Sequence, residues 1–142
     1  MHEDTLASIE LFSSLDKKEL RYIANSCHER KYNAGSVLMQ QGSTGAGLFM
    51  ITAGHVKITK ESDPDRAEIE VGKAGPGDVL GEMALLDDLP RSATVTAIED
   101  VTALLLPIWD FRTALRNSPD IALKLLATLT HRLRQSDARM HD

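Results

Sequence analysis

The sequence predicts a mainly β domain with helices at both ends. A segment of helical period follows Asp16, short strands separated by glycine-rich turns occupy residues 30–106, and helical period returns after Pro107. Many short strands with turns at close spacing are typical of a closed β-roll or barrel. The 142 residues suffice for one compact domain.

The N-terminal helices are predicted from a capping signal and an apolar stripe. Asp16-Lys17-Lys18-Glu19 has the spacing of a capping box, in which the first residue accepts from the helix start and Glu19 reaches back. The apolar residues that follow at helical spacing are Leu20, Ile23, Ala24 and Cys27. The preceding segment, Leu6–Phe12, forms one or two short helical turns, and Cys27 is expected in the core rather than in catalysis.

The central strands are predicted from alternation and from turn chemistry. The predicted strands are Val37–Met39, Leu48–Thr52, His55–Thr59, Ser92–Ile98 and Val101–Leu106. Ala53-Gly54 predicts a hairpin between the second and third of these strands. Residues 61–65 form a loop tip by their composition, and Ala67, Ile69 and Val71 alternate with charged residues as in a half-buried strand.

Two helices are predicted after the strands. Pro107 suits the first turn of one helix, and Ser118-Pro119 begins a second that runs to about Met140. Trp109 is expected in the core. The last helix carries a heptad-like seam formed by Leu126, Leu129, Leu133, Ser136 and Met140. This seam either pairs two copies of the chain in a homodimer or packs on the chain's own β-roll.

Composition excludes several classes of protein. The formal net charge of −5 argues against direct nucleic-acid binding, which needs a basic face. Cys27 is the only cysteine, the N-terminus lacks the pattern of a signal peptide, and no apolar run approaches the length of a membrane helix. We therefore expect a cytoplasmic protein that makes no membrane contact.

The segment from Gly81 to Val95 carries the chemistry of a nucleotide site. Residues 82–86 favour a short helix after Gly81, whose free N–H groups suit an anion. Arg91 is the only basic residue between Lys73 and Arg112, and its guanidinium matches phosphate oxygens. Glu82 accepts hydrogen bonds only, so a ribose hydroxyl suits it. The alternative is a salt bridge between Glu82 and Arg91 at a loop rim.

No catalytic or metal-binding pattern stands beside this segment. The five histidines form no H-x-H or H-x-x-x-H pair, and no pairing of a nucleophile with a base is visible. A phosphate-binding loop of the G-x-x-x-x-G-K-[ST] type is also missing, which disfavours ATP. We expect no enzyme activity, no metal and no cofactor, although a metal-dependent β-roll enzyme stays as a competing hypothesis.

The same segment resembles the phosphate-binding cassette of the cyclic-nucleotide-binding domain family. The matching residues are Leu80, Gly81, Glu82, Met83, Ala84, Leu85, Pro90, Arg91, Ser92, Ala93, Thr94 and Val95. Residues 12–15, 42–54 and 75–78 resemble other parts of this family, so the resemblance covers most of the chain. It implies an antiparallel, jelly-roll-like β-roll of about eight strands, with N-terminal helices and two C-terminal helices.

The resemblance also implies a role for each site residue. Glu82 would accept the ribose 2′-hydroxyl, and Arg91 would bind the exocyclic phosphate oxygens. The backbone N–H groups of Met83, Ala84 and Ala93 would complete the phosphate site, where Gly81 allows close approach. Ser92 would lie near the phosphate and the purine, where a hydroxyl can favour guanine. The residues expected to form a lid over the purine are Leu133, Arg134 and Ser136.

These expectations define one domain that binds a ligand and signals. Residues 1–29 are the N-terminal helices, residues 30–106 the β-roll with its cassette at 80–95, and residues 107–142 the hinge and lid helices. The predicted function is binding of cAMP, or of cGMP, with movement of the C-terminal helices read by an effector protein. The alternatives are a fragment of a cAMP-responsive transcription regulator without its DNA-binding module, and a degenerate domain that acts only in protein–protein interaction.

Overall fold

The computed structural model describes residues 2–44, 47–62, 67–81 and 89–141. The chain divides into two compact units. A helical unit comprises Met1–Ser26 and Asp110–Asp142, and a β unit comprises Cys27–Trp109. Within the described ranges, no helix is both long and apolar enough to span a bilayer.

The helical unit contains segments from both ends of the chain. Its helices are α1 (Glu3–Ala7), a 3₁₀ turn (Glu10–Phe12), α2 (Lys17–Ala24), α3 (Ile108–Asn117, which begins in the β unit) and α4 (Pro119–His141). The rings of Phe12 and Phe111 lie 6.2 Å apart, and both side chains are fully buried. This aromatic pair joins residues far apart in sequence, and such pairs add to the energy of burial.

The predicted capping box is present at the start of α2. The Asp16 carboxylate accepts from the Glu19 N–H at 2.8 Å, and the Glu19 carboxylate accepts from the Asp16 N–H at 3.0 Å. The helix ends at Ala24, however, so the prediction that Cys27 lies on its apolar face is wrong. Cys27 follows the helix and is buried, as expected for a core residue, and its burial raises the pKa of the thiol to about 12.

The described residues of the β unit form eight strands in two antiparallel sheets, which confirms the predicted β-roll. The strands are β1 (His28–Tyr32), β2 (Val37–Met39), β3 (Gly47–Ala53), β4 (Val56–Ser62), β5 (Ala67–Ala74), β6 (Val79–Leu80), β7 (Thr94–Ala97) and β8 (Val101–Pro107). One sheet has the order β1-β8-β3-β6 and the other β2-β7-β4-β5. Apolar residues from both sheets form the core, including Phe49, Ile51, Val56, Val95, Ala103 and Leu105.

The predicted hairpin at Ala53-Gly54 is wrong. The chain does turn there, with Gly54 at φ +82°, but β3 pairs with β6 and β8 whereas β4 pairs with β5 and β7. Gly54 is required because a Cβ at this position would lie 2.3 Å from the Asp100 carbonyl oxygen. The turn thus carries the chain from one sheet to the other, because strands from both sheets must face a common core.

The prediction that β5 is half buried is also wrong. Ile69 and Val71 are 52% and 53% exposed, and among the described strands β5 lies at the edge of its sheet beside β4. Strand β1 escaped prediction because its residues His28–Tyr32 are mostly charged and carry no apolar alternation. Charged residues are typical of edge strands, where they oppose pairing with other chains.

Two predictions near the start of α3 also differ from the structure. Pro107 is the last residue of β8, paired with Gly47, rather than the first turn of the helix. Trp109 was expected in the core, but it is 69% exposed. The helical period places Ile108 and Phe111 inward, and these two buried residues leave Trp109 on the outer side of the first turn. The second junction fits the prediction, because α4 begins at Pro119.

Candidate functional site

Arg91, in the second half of the predicted cassette, is buried, with 7% of its surface exposed. It is the single charged side chain in the core of the described part of the chain. One guanidinium nitrogen, Nη2, donates to the Gly47 carbonyl oxygen at 2.5 Å, and Nη1 donates to the Gly81 carbonyl oxygen at 3.4 Å. A buried guanidinium is costly unless it is hydrogen-bonded, so these two carbonyl groups help to hold it inside.

The main chain of Arg91 is fixed by the loop that follows β2. The Gly42 N–H donates to the Arg91 carbonyl at 2.8 Å, and the Arg91 N–H donates to the Ser43 carbonyl at 2.8 Å. These two bonds pair a segment of the loop with the segment just before β7. The loop between β2 and β3 therefore contacts Arg91 through its main chain, and Gly47 contacts the side chain.

Two glycines leave the space that the guanidinium occupies. A Cβ on Gly47, whose φ is +148°, would lie 2.0 Å from the Leu106 carbonyl oxygen. A Cβ on Gly81, whose φ is +80°, would lie 2.3 Å from Arg91 Nη1 and 2.8 Å from the Gly47 carbonyl oxygen. Both positions need a backbone conformation that other residues rarely adopt, so the arrangement depends on glycine.

The structure brings together only part of the predicted cassette. The Gly81 carbonyl accepts from Arg91, while Ser92 is exposed and Ala93 is half buried. Glu82, Met83 and Ala84, together with the short helix expected at 82–86, lie outside the described residues. Their contacts with a ligand stay predictions.

The three residues expected to form a lid lie in the second half of α4. Leu133 is 63% exposed, and Arg134 and Ser136 are also exposed. They belong to the helical unit, whereas Arg91 belongs to the β unit. Their role as a lid stays a prediction.

Sequence reasoning missed the residues that hold the loop around Arg91. The Gln41 N–H donates to Thr94 Oγ1 at 2.9 Å. The Gln41 side chain also bonds both backbone groups of Glu61, accepting from its N–H at 2.9 Å and donating to its carbonyl at 3.4 Å. The closely spaced Gly42 and Gly47 were the available signal, because they mark a loop with unusual backbone geometry.

The described residues offer little support for a metal centre. They contain no group of three or more histidine, cysteine, aspartate or glutamate side chains placed to hold an ion. Among those residues the chemistry gathered at the β-roll is instead that of a buried cation beside a loop, which suits an anionic ligand.

A family model for the cyclic nucleotide-binding domain matches residues 29–118. This range contains all eight strands except the start of β1, and it contains Arg91 with the loop that holds it. The chain belongs to the cyclic nucleotide-binding domain family. The resemblance noted in the cassette is therefore confirmed at the level of the whole domain.

Regulators of the cyclic AMP receptor type are among the relatives of this cyclic nucleotide-binding domain. It is 32% identical to the cyclic AMP receptor protein of Thermus thermophilus over 130 residues, which are 92% of this chain and 60% of that protein. The N-terminal domain of a transcriptional regulator from Streptomyces coelicolor superposes with a TM-score of 0.85 at 34% identity, over 96% of this chain and 95% of that one. The first of these relatives is thus named a receptor and the second a transcriptional regulator.

A eukaryotic structure shares the fold. The regulatory domain of Toxoplasma gondii PKA, solved with cAMP, matches 89% of this chain and 49% of its own at 26% identity, with a TM-score of 0.73. The chain spans 60% of the length of the Thermus relative and 95% of the Streptomyces N-terminal domain.

Proposed function

We propose that this domain binds cAMP reversibly and passes the binding event to a partner without altering the nucleotide. The observation that carries the proposal is the buried Arg91, held between the Gly47 and Gly81 carbonyl oxygens in a family of nucleotide-binding domains. A fixed guanidinium needs little reorganisation to receive a phosphate, so less of the binding energy is spent on ordering it.

The family pattern supplies the remaining contacts in this proposal. Arg91 binds the exocyclic oxygens of the cyclic phosphate, and the N–H groups of Met83, Ala84 and Ala93 bind the same group. Glu82 accepts from the ribose 2′-hydroxyl, which only a ribonucleotide offers. Gly81 allows the ligand to approach the backbone closely, because a side chain there would fill the space next to Arg91.

The choice of purine depends on Ser92 in this proposal. Its side chain is exposed, so its hydroxyl is accessible to a ligand. A hydroxyl at this position can bond the 2-amino group of guanine, which adenine lacks. We favour cAMP because one relative is named a cyclic AMP receptor protein and another was crystallised with cAMP, and cGMP is the competing ligand.

We propose further that α3 and α4 transmit the signal and that α4 pairs two copies of the chain. Leu126 and Leu133, spaced seven residues apart, are 59% and 63% exposed. Two leucines at a heptad spacing suit a two-helix seam, and Leu129, which is half buried, lies between them. A ligand that binds one arrangement of these helices better shifts the population toward it by at most its difference in affinity.

A second candidate follows from the relatives. The Streptomyces structure that matches this chain along nearly its full length is the N-terminal domain of a transcriptional regulator. The domain described here can therefore be the sensing part of such a regulator, in which another module contacts DNA. Titration of the natural gene product with a promoter fragment, with and without cAMP, distinguishes this role from signalling to a protein partner.

The nucleotide proposal is tested by calorimetry on protein that has been unfolded and refolded to remove bound nucleotide. cAMP and cGMP are titrated into the wild type, Arg91→Ala, Arg91→Lys and Arg30→Ala. Arg30 lies in β1 and is exposed, so its variant controls for the loss of a positive charge. We expect Arg91→Ala to lose about 30-fold or more in affinity, because truncating a buried charge partner costs about 2–5 kcal/mol.

Several results would contradict the proposal. If the wild-type protein binds neither nucleotide, it is a degenerate domain that acts only in protein–protein interaction, and α4 is then the candidate surface for a partner. Equal losses in Arg91→Ala and Arg30→Ala would mean that Arg91 does not contact the phosphate. If chromatography shows that cAMP disappears over hours in the presence of the protein, the protein is an enzyme. Arg91→Lys guards against misfolding, because it keeps the charge and loses the planar fork.

A further inference from the structure

We infer that Gln41 is a positioning residue for the nucleotide phosphate, although it belongs to no part of the cassette. The inference rests on the proposed function of Arg91. Its basis is a chain of hydrogen bonds within the β unit. The chain leads from Glu61 of β4, through the side chain of Gln41, to the loop that holds Arg91.

The first step is the bond between Gln41 and β4. Strand β7 pairs with β4 only from Val56 to Thr59, so its last partner precedes Glu61. The Gln41 carboxamide bonds both the N–H and the carbonyl of Glu61, with oxygen–nitrogen distances of 2.9 and 3.4 Å. The side chain thereby provides at Glu61 the donor and the acceptor that a neighbouring strand would provide.

The second step is the bond between Gln41 and β7. The Gln41 N–H donates to Thr94 Oγ1 at 2.9 Å, and Thr94 is paired with Thr59 of β4. One residue is therefore attached to two strands, by its side chain to β4 and by its main chain to the Thr94 side chain on β7. This fixes the position of the residue that immediately precedes Gly42.

The third step leads to the guanidinium. Gly42 and Ser43 hold the main chain of Arg91 through bonds of 2.8 Å each, and Gly47 at the far end of the same loop accepts from Arg91 Nη2. A shift of Gln41 therefore moves the backbone groups that fix Arg91. Because the phosphate contact depends on direction as well as distance, a small displacement lowers affinity without unfolding the domain.

The test uses the two phosphorothioate diastereomers of cAMP, in which sulfur replaces one exocyclic oxygen or the other. Sulfur accepts hydrogen bonds weakly, so a guanidinium fixed against one oxygen separates the two dissociation constants. In Gln41→Met we expect this ratio to fall toward one and the cAMP affinity to fall about 3- to 10-fold, the effect of roughly one hydrogen bond.

Matched variants separate positioning from stability. Gln40→Met makes the same change at the neighbouring residue, whose only described side-chain bond is a long one of 3.5 Å to Thr94, and it should keep the wild-type ratio. Thr94→Val should behave as Gln41→Met does, and Thr94→Ser, which retains the hydroxyl, should restore the ratio. A purely structural role would lower both affinities equally through the folded fraction and leave their ratio unchanged.

The outcomes are distinct for the two proposals. Wild-type protein that binds no cyclic nucleotide overturns the proposed function and this inference with it. Wild-type protein that binds cAMP but gives the same diastereomer ratio as Gln41→Met overturns the positioning role alone. The positioning role is established if the ratio of the two dissociation constants is lower than in the wild type in Gln41→Met and Thr94→Val and unchanged in Gln40→Met and Thr94→Ser.

Discussion

Arg91 Nη2 lies 2.5 Å from the carbonyl oxygen of Gly47, a residue 44 positions away in the chain. The bond joins the segment before β7 to the first residue of β3, and these strands belong to different sheets. The side chain proposed to bind phosphate is thus part of the link between the two sheets. Substitutions around this bond should affect ligand binding and stability to different degrees.

Gly47→Ala should destabilise the domain by about 2–4 kcal/mol. The added Cβ would lie 2.0 Å from the Leu106 carbonyl oxygen at a φ of +148°, so steric overlap adds to backbone strain. Gly35→Ala is the matched control, since its φ is +89° but nothing lies within 4 Å of the added atom. Chemical denaturation measures the free energy of unfolding of both variants. Equal losses of that free energy would contradict the steric explanation.

Gly81→Ala should lower both cAMP affinity and stability. Its Cβ would lie 2.3 Å from Arg91 Nη1 and 2.8 Å from the Gly47 carbonyl oxygen at a φ of +80°, so the guanidinium is displaced and the backbone is strained as well. We expect an affinity loss of about 10-fold, equivalent to about 1.4 kcal/mol. Calorimetry with cAMP measures it, and unchanged affinity in a folded variant would show that the position of Nη1 is unimportant.

Asp16→Ala should destabilise α2 by about 0.5–2 kcal/mol and leave cAMP affinity unchanged. The substitution removes the acceptor of the Glu19 N–H, which is one half of the capping box. Lys17→Ala, at the first residue of the helix, serves as the control because Lys17 is exposed and forms no part of the box. A denaturation midpoint equal to that of the control would mean that the cap contributes no net stability.

Leu126→Glu combined with Leu133→Glu should abolish association of two chains. Both leucines are exposed, and like charges along a helical seam repel each other. Analytical ultracentrifugation at rising concentration measures the effect, with the exposed Gln135→Glu as a control for added charge. A wild type that stays monomeric throughout the concentration range would contradict pairing through α4.

Cys27 should react slowly with thiol reagents in the folded protein at neutral pH. Burial raises the pKa of its thiol to about 12, so the reactive thiolate is scarce below that value. Since the unfolded thiol has an ordinary pKa near 9, Cys27 should favour folding below pH 9 and lose this contribution as the pH rises toward 12. Labelling followed by mass spectrometry measures the rate, and Cys27→Ala should flatten the pH dependence of stability over that window.

The sequence alone determined the local elements whose signals lie within a few residues. The Asp16–Glu19 box, the start of α4 at Pro119 and most strand positions could be predicted because caps, prolines and alternation act over one or two turns. The cassette could be recognised for a similar reason, since its residues are contiguous. Gly81 and Arg91 can therefore be identified from the sequence without knowledge of the contact between them.

Only the tertiary structure decided which strands pair and what surrounds Arg91. The turn at Gly54 looked like a hairpin, yet β3 and β4 lie in different sheets, and the burial of Ile69 was misjudged because edge position depends on the whole strand order. Likewise Gly47 contacts Arg91 through a backbone carbonyl, and Gln41 bonds Glu61 through an ordinary side-chain amide. Neither group has a distinctive sequence signal. Hydrogen bonds between residues tens of positions apart leave no periodic trace in the sequence, because their partners are chosen by the packing of the two sheets.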